Sequence, residues 1–418
     1  MNGLLKDIRI GWFLAIRQVR RSSKWTTSLI VFVMVLTFLN LVVVSGILVG
    51  LIQGVSNAVR DKYIGDVMIS PLLEKDYIEH SVDVLSFVRS MPAVEAATPR
   101  VRKGVVLEAN YQTRAFDEKP NTAAGQLVGV DLDSERVVTN LSENVIEGSF
   151  LEPGDYDQVV LGHYLIDRYL PIESPAFTTL KSVYPGTKIR MRIGDTVREV
   201  TVKGIIKTKV DEVSLSVFML DSQARALAGR DVDNVSEISL KLKDGEYAEA
   251  VRDEILLHGF GEYARVQTFD EATPKFVKDM IATFNLLGAG FSSIGLVVAS
   301  ITIFIVIFIN ALTRRKFIGI LKGIGIDGHA IEIAYVFQSI FYAAVGSAVG
   351  LVLVYAVLVP LFLAHPIDFP FSDGILVAPL DETLFRVLLL VVTTLIAGFI
   401  PAWMIVRKNT LDSILGRN

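Results

Sequence analysis

Histidine and carboxylate side chains are the usual carriers of metal and acid–base chemistry, and this chain has five histidines, at 80, 163, 258, 329 and 365. None forms H-x-x-x-H, and none reads as half of a metal-ligand pair with a carboxylate. No G-x-S-x-G exposes a nucleophilic serine, and no G-x-x-x-x-G-K-[ST] offers backbone N–H groups to a nucleotide phosphate. The absence of cysteine excludes disulfides, thiol catalysis, Cys-ligated zinc and a lipidated N-terminal cysteine. The residues that do stand out would make a contact instead of a covalent step. In "ALTRRKFIGILKGIGIDGHAIEIAYVFQSIF", residues 311–341, three cations open an amphipathic stretch. Ile318, Ile320, Leu321 and Ile324 alternate there with glycines and Lys322. A short, basic, half-apolar helix placed between two long apolar runs has to push on something or be pushed.

Such a stretch must be held by its flanks, and these are apolar. Of the 418 residues, 51% are apolar and 21% charged, and the mean hydropathy is +0.47. That mixture indicates membrane spans joined to a sizeable water-exposed domain. The net charge of −4, with no basic tract, gives no footprint for nucleic acid. A bilayer core of about 30 Å needs about 20 apolar residues as helix. Four runs qualify: Ser28–Leu51, Phe284–Leu312, roughly Ile331–Leu363, and Leu384–Val406. The first is too long for a signal peptide and lacks an A-x-A-like site, so it is read as an uncleaved anchor.

Lys and Arg in the short flanks orient the spans. Lys6, Arg9, Arg17, Arg20, Arg21 and Lys24 precede the first; Arg314, Arg315, Lys316 and Lys322 lie between the second and third; Arg407, Lys408 and Arg417 follow the fourth. The loop "HPIDFPFSDGILVAPLDE" between the third and fourth has no Lys or Arg. Both termini are expected to be cytoplasmic, in a multi-pass membrane protein. Leu4, Leu5, Ile8, Trp12, Ala15, Ile16 and Val19 recur at helical spacing among basic residues, which predicts an amphipathic helix on the inner leaflet over 1–25.

The expected fold class is thus membrane α-helical, one span plus three, with a large extracytoplasmic α/β domain. The expected bounds are 26–51, 284–312, 331–363 and 384–406 for the spans, 52–283 for the domain, 313–330 for the basic segment, 364–383 for an outer loop and 407–418 for a tail. In the domain, "DVMISP", "HSVDVLSFVRS" and "VEAATPRVRKGVVLE" read as strand, helix and extended chain. "SEISLKLKD", "EYAEAVRDEILLHGF" and "ARVQTFDE" repeat that pattern far downstream. Two β-α-β units therefore flank a turn-rich middle, giving a split α/β lobe over 60–110 and 201–275 and an inserted β-rich lobe over about 111–200. Within the spans, Gly46, Gly50 and Gly54 recur every four residues, as do Gly346 and Gly350, and Gly288, Ser292 and Gly295 crowd the second span. Rows of small residues let helices approach closely.

Taken in order, these residues resemble a known family, the MacB/FtsX-type permeases of ABC transporters, and within it the LolC/LolE lipoprotein-releasing branch. "FLAIRQVRRSSKWTTSLIVFVM" is similar to the family's approach to its first span. "VRSMPAVEAATPRV", "LVGVD", "VIEGSF", "QVVLGHYLIDRYL" and "VKGIIKTKVDEVSLSVFMLDSQARALAG" resemble landmarks of its outer domain. "RRKFIGILKGIGIDGHAIEIAYVFQSIFYAAVGSAVG" and "IPAWMIVRKNTLDSILGRN" resemble its cytoplasmic segment with third span and its C-terminal end. The resemblance implies porter-like and sabre-like lobes. It also implies a dimer with a second or related permease, and two copies of a separate ABC ATPase that bind ATP and Mg. The chain itself would hold no cofactor and hydrolyse nothing. Arg314, Arg315, Lys316, Phe317, Gly319, Ile320, Leu321, Lys322 and Gly325 would form the ATPase contact, with Phe317 standing where the family usually has an acidic residue. The implied work is mechanotransmission to extract or export a lipoprotein or other amphiphile. Export of a peptide or antibiotic, and FtsX-like regulation of a cell-wall hydrolase without transport, are the alternatives.

Overall fold

The structure is a computed structural model that describes residues 2–21, 24–170, 178–229, 233–365, 367–369, 372–374 and 376–407. Of the expected tail, residues 408–418, with Lys408 and Arg417, lie outside them. The chain divides into two compact units, Met1–Ile52 with Asp279–Phe369 and Asp373–Asn418, and Gln53–Lys278 with Pro370–Ser372.

The chain opens with α1 (Asn2–Arg21), then α2 (Lys24–Leu39) and α3 (Ser45–Val59), the last two joined by a π-helical turn over Asn40–Val44. Helix continues without a break from Thr27 to Ile64, past the apolar run. It stops at Gly65, whose φ of +76° suits only glycine and where a Cβ would lie 2.5 Å from the Leu240 carbonyl oxygen.

In the unit that follows, β1 (Val67–Pro71), α4 (Ser81–Ser90) and β2 (Val94–Glu108) form the first β-α-β unit. Next come β3 (Thr122–Val130), α5 (Leu132–Val138), β4 (Val145–Gly148), β5 (Gln158–Gly162), β6 (Lys188–Ile193) and β7 (Thr196–Ile206). Then α6 (Asp211–Ser214), β8 (Ser216–Leu220) and α7 (Asp221–Leu227) lead to the second unit. That unit is β9 (Glu237–Leu242), α8 (Ala248–Leu257) and β10 (Ala264–Thr268), closed by α9 (Phe269–Ala272) with a Thr268–Glu271 capping box.

The two β-α-β units interleave. Their strands lie antiparallel in the order β10-β1-β9-β2. Val84 and Val88 of α4 and Val251 and Ile255 of α8 pack with Ile69, Ile238 and Leu240 into one core. The rest of the sheet curls shut. β2 pairs β3, β3 pairs β8, β8 pairs β5, β5 pairs β7, β7 pairs β6, and β6 returns to β2. This ring of six strands has no open edge. Alternate residues such as Val105 and Leu107, Ile189 and Met191, and Val217 and Met219 fill it.

The β-rich insertion is therefore larger than the expected 111–200. Val202, Ile205, Val217 and Met219 belong to the barrel core, not to the split lobe assigned over 201–275. The reason is periodicity: "TVREVTVKGII" and "SVFML" are strands that turn residues inward to the barrel core. The fifteen-residue β2 serves both cores, with Val94 and Ala97 in one and Val105 and Leu107 in the other. One sheet thus runs through both.

The remaining helices are α10 (Lys275–Thr313), α11 (Arg315–Gly323), α12 (Gly328–Leu353), α13 (Val359–Ala364), continuous with α12 through a π-turn, and α14 (Leu380–Val406). Four helical stretches among the described residues are long and apolar enough to cross a membrane: Thr27–Ile64, Lys275–Thr313, Gly328–Ala364 and Leu380–Met404. The second begins before the expected Phe284, because "KFVKDMIAT" has no Gly or Pro to break the helix. Met34 and Phe38, Ile303 and Ile307, Tyr335 and Tyr342, and Leu390 form one buried cluster of this helical unit. Gly11 and Ala15 seat α1 against α12: a Cβ on Gly11 would lie 2.6 Å from Ile333 Cγ2, and Trp12 meets Phe337 edge-on at 5.2 Å.

Candidate coupling helix and a buried charge network

The basic segment folds as the nine-residue α11. Its end is a Schellman motif: Gly325, at φ +90°, donates to the Lys322 carbonyl at 3.0 Å, and Ile326 donates to that of Leu321 at 3.0 Å. Gly325 is thus a helix stop, and Asp327 then caps α12 through its carboxylate, 3.0 Å from the His329 N–H.

The helix has two unlike sides. Ile318 and Gly319 are buried, and Leu321 packs beside Ile318 against the cluster of the helical unit. Lys322 donates to the Val406 carbonyl at 2.8 Å. Arg314 and Arg315 are half-buried. Lys316, Phe317, Ile320 and Ile324 face outward, the three apolar ones at 63%, 52% and 71% exposure. The expected contact set is therefore split. Leu321, Gly319 and Lys322 hold the helix in place, while Phe317 and Ile320, with Ile324 added, form the free apolar stripe. Sequence spacing put Ile320 and Leu321 together because they are adjacent; on a helix, adjacent residues point about 100° apart.

Gly46, Gly346 and Gly350 sit at close approaches within the helical unit. A Cβ on Gly346 would lie 2.5 Å from Met34 Cβ, one on Gly350 2.2 Å from Phe38 Cδ1, and one on Gly46 2.7 Å from Leu376 Cδ1. Gly50 is buried and Gly54 half-buried. The hydroxyls of Ser45 and Ser292 lie 2.8 Å apart. Gly398, which the sequence reading passed over, would place a Cβ 2.7 Å from Ser339 Oγ.

A second assembly was not legible in the sequence. Arg100 on β2 is 3% exposed. It reaches Glu135 on α5 at 2.6 and 3.0 Å, Glu237 on β9 at 3.1 Å, Ser239 Oγ at 3.2 Å and the Tyr63 carbonyl at 2.8 Å. Arg102 bridges Glu237 at 3.0 Å and the Tyr63 hydroxyl at 2.6 Å. Thr98 and Thr139 hydroxyls complete Glu135, at 3.0 and 2.5 Å. Burial alone would push Glu237 up; Arg102 and Arg100 outweigh it and hold the carboxyl below the usual range. Burial likewise works against the Arg100 charge, and Glu135 and then Glu237 overcome it. The network ties Tyr63, at the end of the first long helix, to β2, β9 and α5. The signal was the register Arg100↔Glu237, which puts Arg100, Arg102, Glu237 and Ser239 on one face of two paired strands. By alternation that face reads as solvated; α5 covers it.

His163, just after β5, is 3% exposed and its Nδ1 has no hydrogen-bond partner among the described residues. Burial, then Lys207 and Lys209, push the imidazole down to about 4. The folded value lies below the unfolded one, so acid is taken up on unfolding. Stability is unaffected above about pH 6.5 and falls by roughly 2–3 kcal/mol as pH drops from there to about 4. We expect urea midpoints of the full chain in detergent to fall through this window, and His163→Gln to flatten the fall. An equal slope in the variant would refute the assignment.

Residues 27–256 match the family described as the MacB-like periplasmic core domain, and residues 289–410 match the FtsX-like permease C-terminal family. The chain is 26% identical over 221 residues to an uncharacterized ABC transporter permease of Methanocaldococcus jannaschii, a match covering 50% of each chain. The alignment thus spans half the length of that relative. It is 22% identical over 346 residues to the lipoprotein-releasing system transmembrane protein LolC of Neisseria meningitidis serogroup B, covering 76% of each. Among solved structures it is similar to the periplasmic region of MacB from Actinobacillus actinomycetemcomitans, with a TM-score of 0.36 and 15% identity, covering 54% of this chain and 95% of that one. The extracellular domain of the ABC-type transporter YknZ gives a TM-score of 0.33 at 13% identity, covering 49% and 98%. With the core-domain match spanning more than half of its length and the C-terminal match following it in order, the chain belongs to the MacB/FtsX/LolC-type permease family.

Proposed function

We propose that the chain is the membrane subunit of an ABC transporter, driven by a separate ATPase that seats α11 in a groove. The observation that carries this reading is the stripe of Phe317, Ile320 and Ile324 on a helix whose other side is locked into the helical unit. An apolar stripe exposed beside Lys316, next to potential membrane spans, is a surface awaiting a partner. Two copies of the permease, or one with a sister chain, work with two ATPases. ATP and Mg belong to the ATPase. Both termini and α11 lie on the cytoplasmic side, supported by the Lys and Arg flanking the spans, and the 53–278 unit lies outside. The likeness to LolC supports a lipoprotein or similar amphiphile as the substrate that this unit extracts or drives onward.

Tagged chain purified from native membranes should bring down a P-loop ATPase at one copy per permease and hydrolyse ATP only with it. Hydrolysis by the chain alone, or capture of no such ATPase, would overturn the reading.

A further inference from the structure

The helical unit contains a cavity of about 420 Å³ between α1 and α11. Four cations line it: Arg17 and Arg21 from α1, Arg314 just before α11, and Lys316. Among the described residues no Asp or Glu lines it, and none forms an ion pair with any of the four. The rest of its lining is apolar at Leu14, Phe317, Ile318 and Leu321 and polar at Gln18, Thr313 and Tyr335, so Lys316 and Phe317 of the outward side of α11 also border it. Two polar groups lack a partner where they meet the cavity. The Tyr335 side chain is fully buried and its hydroxyl has no hydrogen-bond partner among the described residues; the same holds for the buried Gln18 Oε1. A buried O–H without an acceptor is unfavourable unless something fills the site.

The faces of α1 indicate what fills it. Gly11 and Ala15 face α12, and Leu14, Arg17, Gln18 and Arg21 face the cavity. The third side, with Leu5, Ile8, Trp12 and Ile16, stands exposed at 64%, 38%, 54% and 39%. A helix with an exposed Trp-bearing apolar side and a basic side, preceding a potential span, lies in the membrane–water interface. Its cavity then opens at headgroup depth.

We infer that this cavity binds the phosphate headgroup of an anionic phospholipid. The four cations neutralise the phosphate, the Tyr335 hydroxyl donates to one of its oxygens, and Leu14 and Leu321 contact the glycerol backbone and the first acyl carbons. Gln18 Oε1 can accept from a headgroup hydroxyl, which favours phosphatidylglycerol over a headgroup with no O–H. Basic pockets between helices at the membrane surface are suited to such lipids. The inference does not depend on the ATPase, so lipid binding is measured on the permease alone.

The test is lipid retention by native mass spectrometry after delipidated full chain is equilibrated with micelles of phosphatidylglycerol and phosphatidylcholine in equal amounts. Wild type should keep phosphatidylglycerol over phosphatidylcholine by about tenfold or more. Arg17→Gln with Arg314→Gln should bring the two near parity. Tyr335→Phe, which removes one oxygen from a packed side chain, should lower the preference several-fold without altering the far-ultraviolet circular dichroism. Equal retention by wild type, or unchanged preference in both variants, would overturn the inference. Displacement of phosphatidylglycerol by millimolar glycerol phosphate would show a soluble phosphate site instead. A double variant that keeps the lipid but loses ATPase capture would show a protein contact in place of a lipid site.

Discussion

Replacing Arg100 by Met should destabilise the 53–278 unit by about 3–5 kcal/mol, the usual result of breaking a buried ion pair from one side. The loss comes less from the missing contacts than from what remains. Glu135, buried with Arg100, would keep only the Thr98 and Thr139 hydroxyls. Glu237 would still have Arg102. Glu135 is therefore the orphan, and Arg100→Met with Glu135→Gln should recover more than half of the loss by neutralising it. For a domain of this size the single change lowers the melting temperature by about 10 °C. Thermal proteolysis of the full chain in detergent reads both variants. A single variant melting within a degree or two of wild type, or a double variant melting lower than the single, would show that the network is not a structural tie.

The second large effect is on coupling. Phe317→Asp with Ile320→Asp puts two charges on the exposed stripe of α11 and leaves Ile318 and Leu321 in place. Because both sites are exposed, folding and membrane insertion should be unchanged, and Asp contributes little to orientation. In a complex the same charges would be desolvated and unpaired, a penalty of about 3–5 kcal/mol, or at least a hundredfold weaker ATPase capture. Leu321→Asp makes the opposite contrast, since it attacks the buried side and should reduce the amount of folded chain. If the Phe317/Ile320 variant captures ATPase and supports stimulated hydrolysis at wild-type level, α11 is not the point of transmission.

What was legible follows from period and length. Apolar runs long enough to span declared themselves, and so did the two β-α-β patterns, because "SEISLKL" alternates and "EYAEAVRDEILL" does not. The β-rich insertion was recognisable as β but not in extent. Which neighbours β7 and β8 pair with depends on contacts far apart in sequence, and nothing in "TVREVTVKGII" names β5 and β6 as its partners. The side of α11 that faces outward was also illegible. Apolar residues stand on both of its sides, and the placement of Val406 and Tyr335 beside it goes with the side that is covered. Arg100 and Glu237 were hidden for a related reason: charge in alternation looks like surface until another element closes over it.

The strand shared by the two cores also sets an order of assembly. Arg100 on β2 and Glu237 on β9 are paired neighbours although 137 positions separate them. For an open chain, closing so long a loop carries an entropy penalty that grows with the logarithm of its length. The barrel removes most of that penalty, because it begins on β2 and ends with β8 and α7, leaving a short tether to β9. Until the barrel closes, β9 has no nearby strand to join and the β10-β1-β9-β2 sheet cannot form at low entropic expense. Contacts of high sequence separation then become local in effect, and a topology that would otherwise fold slowly is divided into two shorter searches.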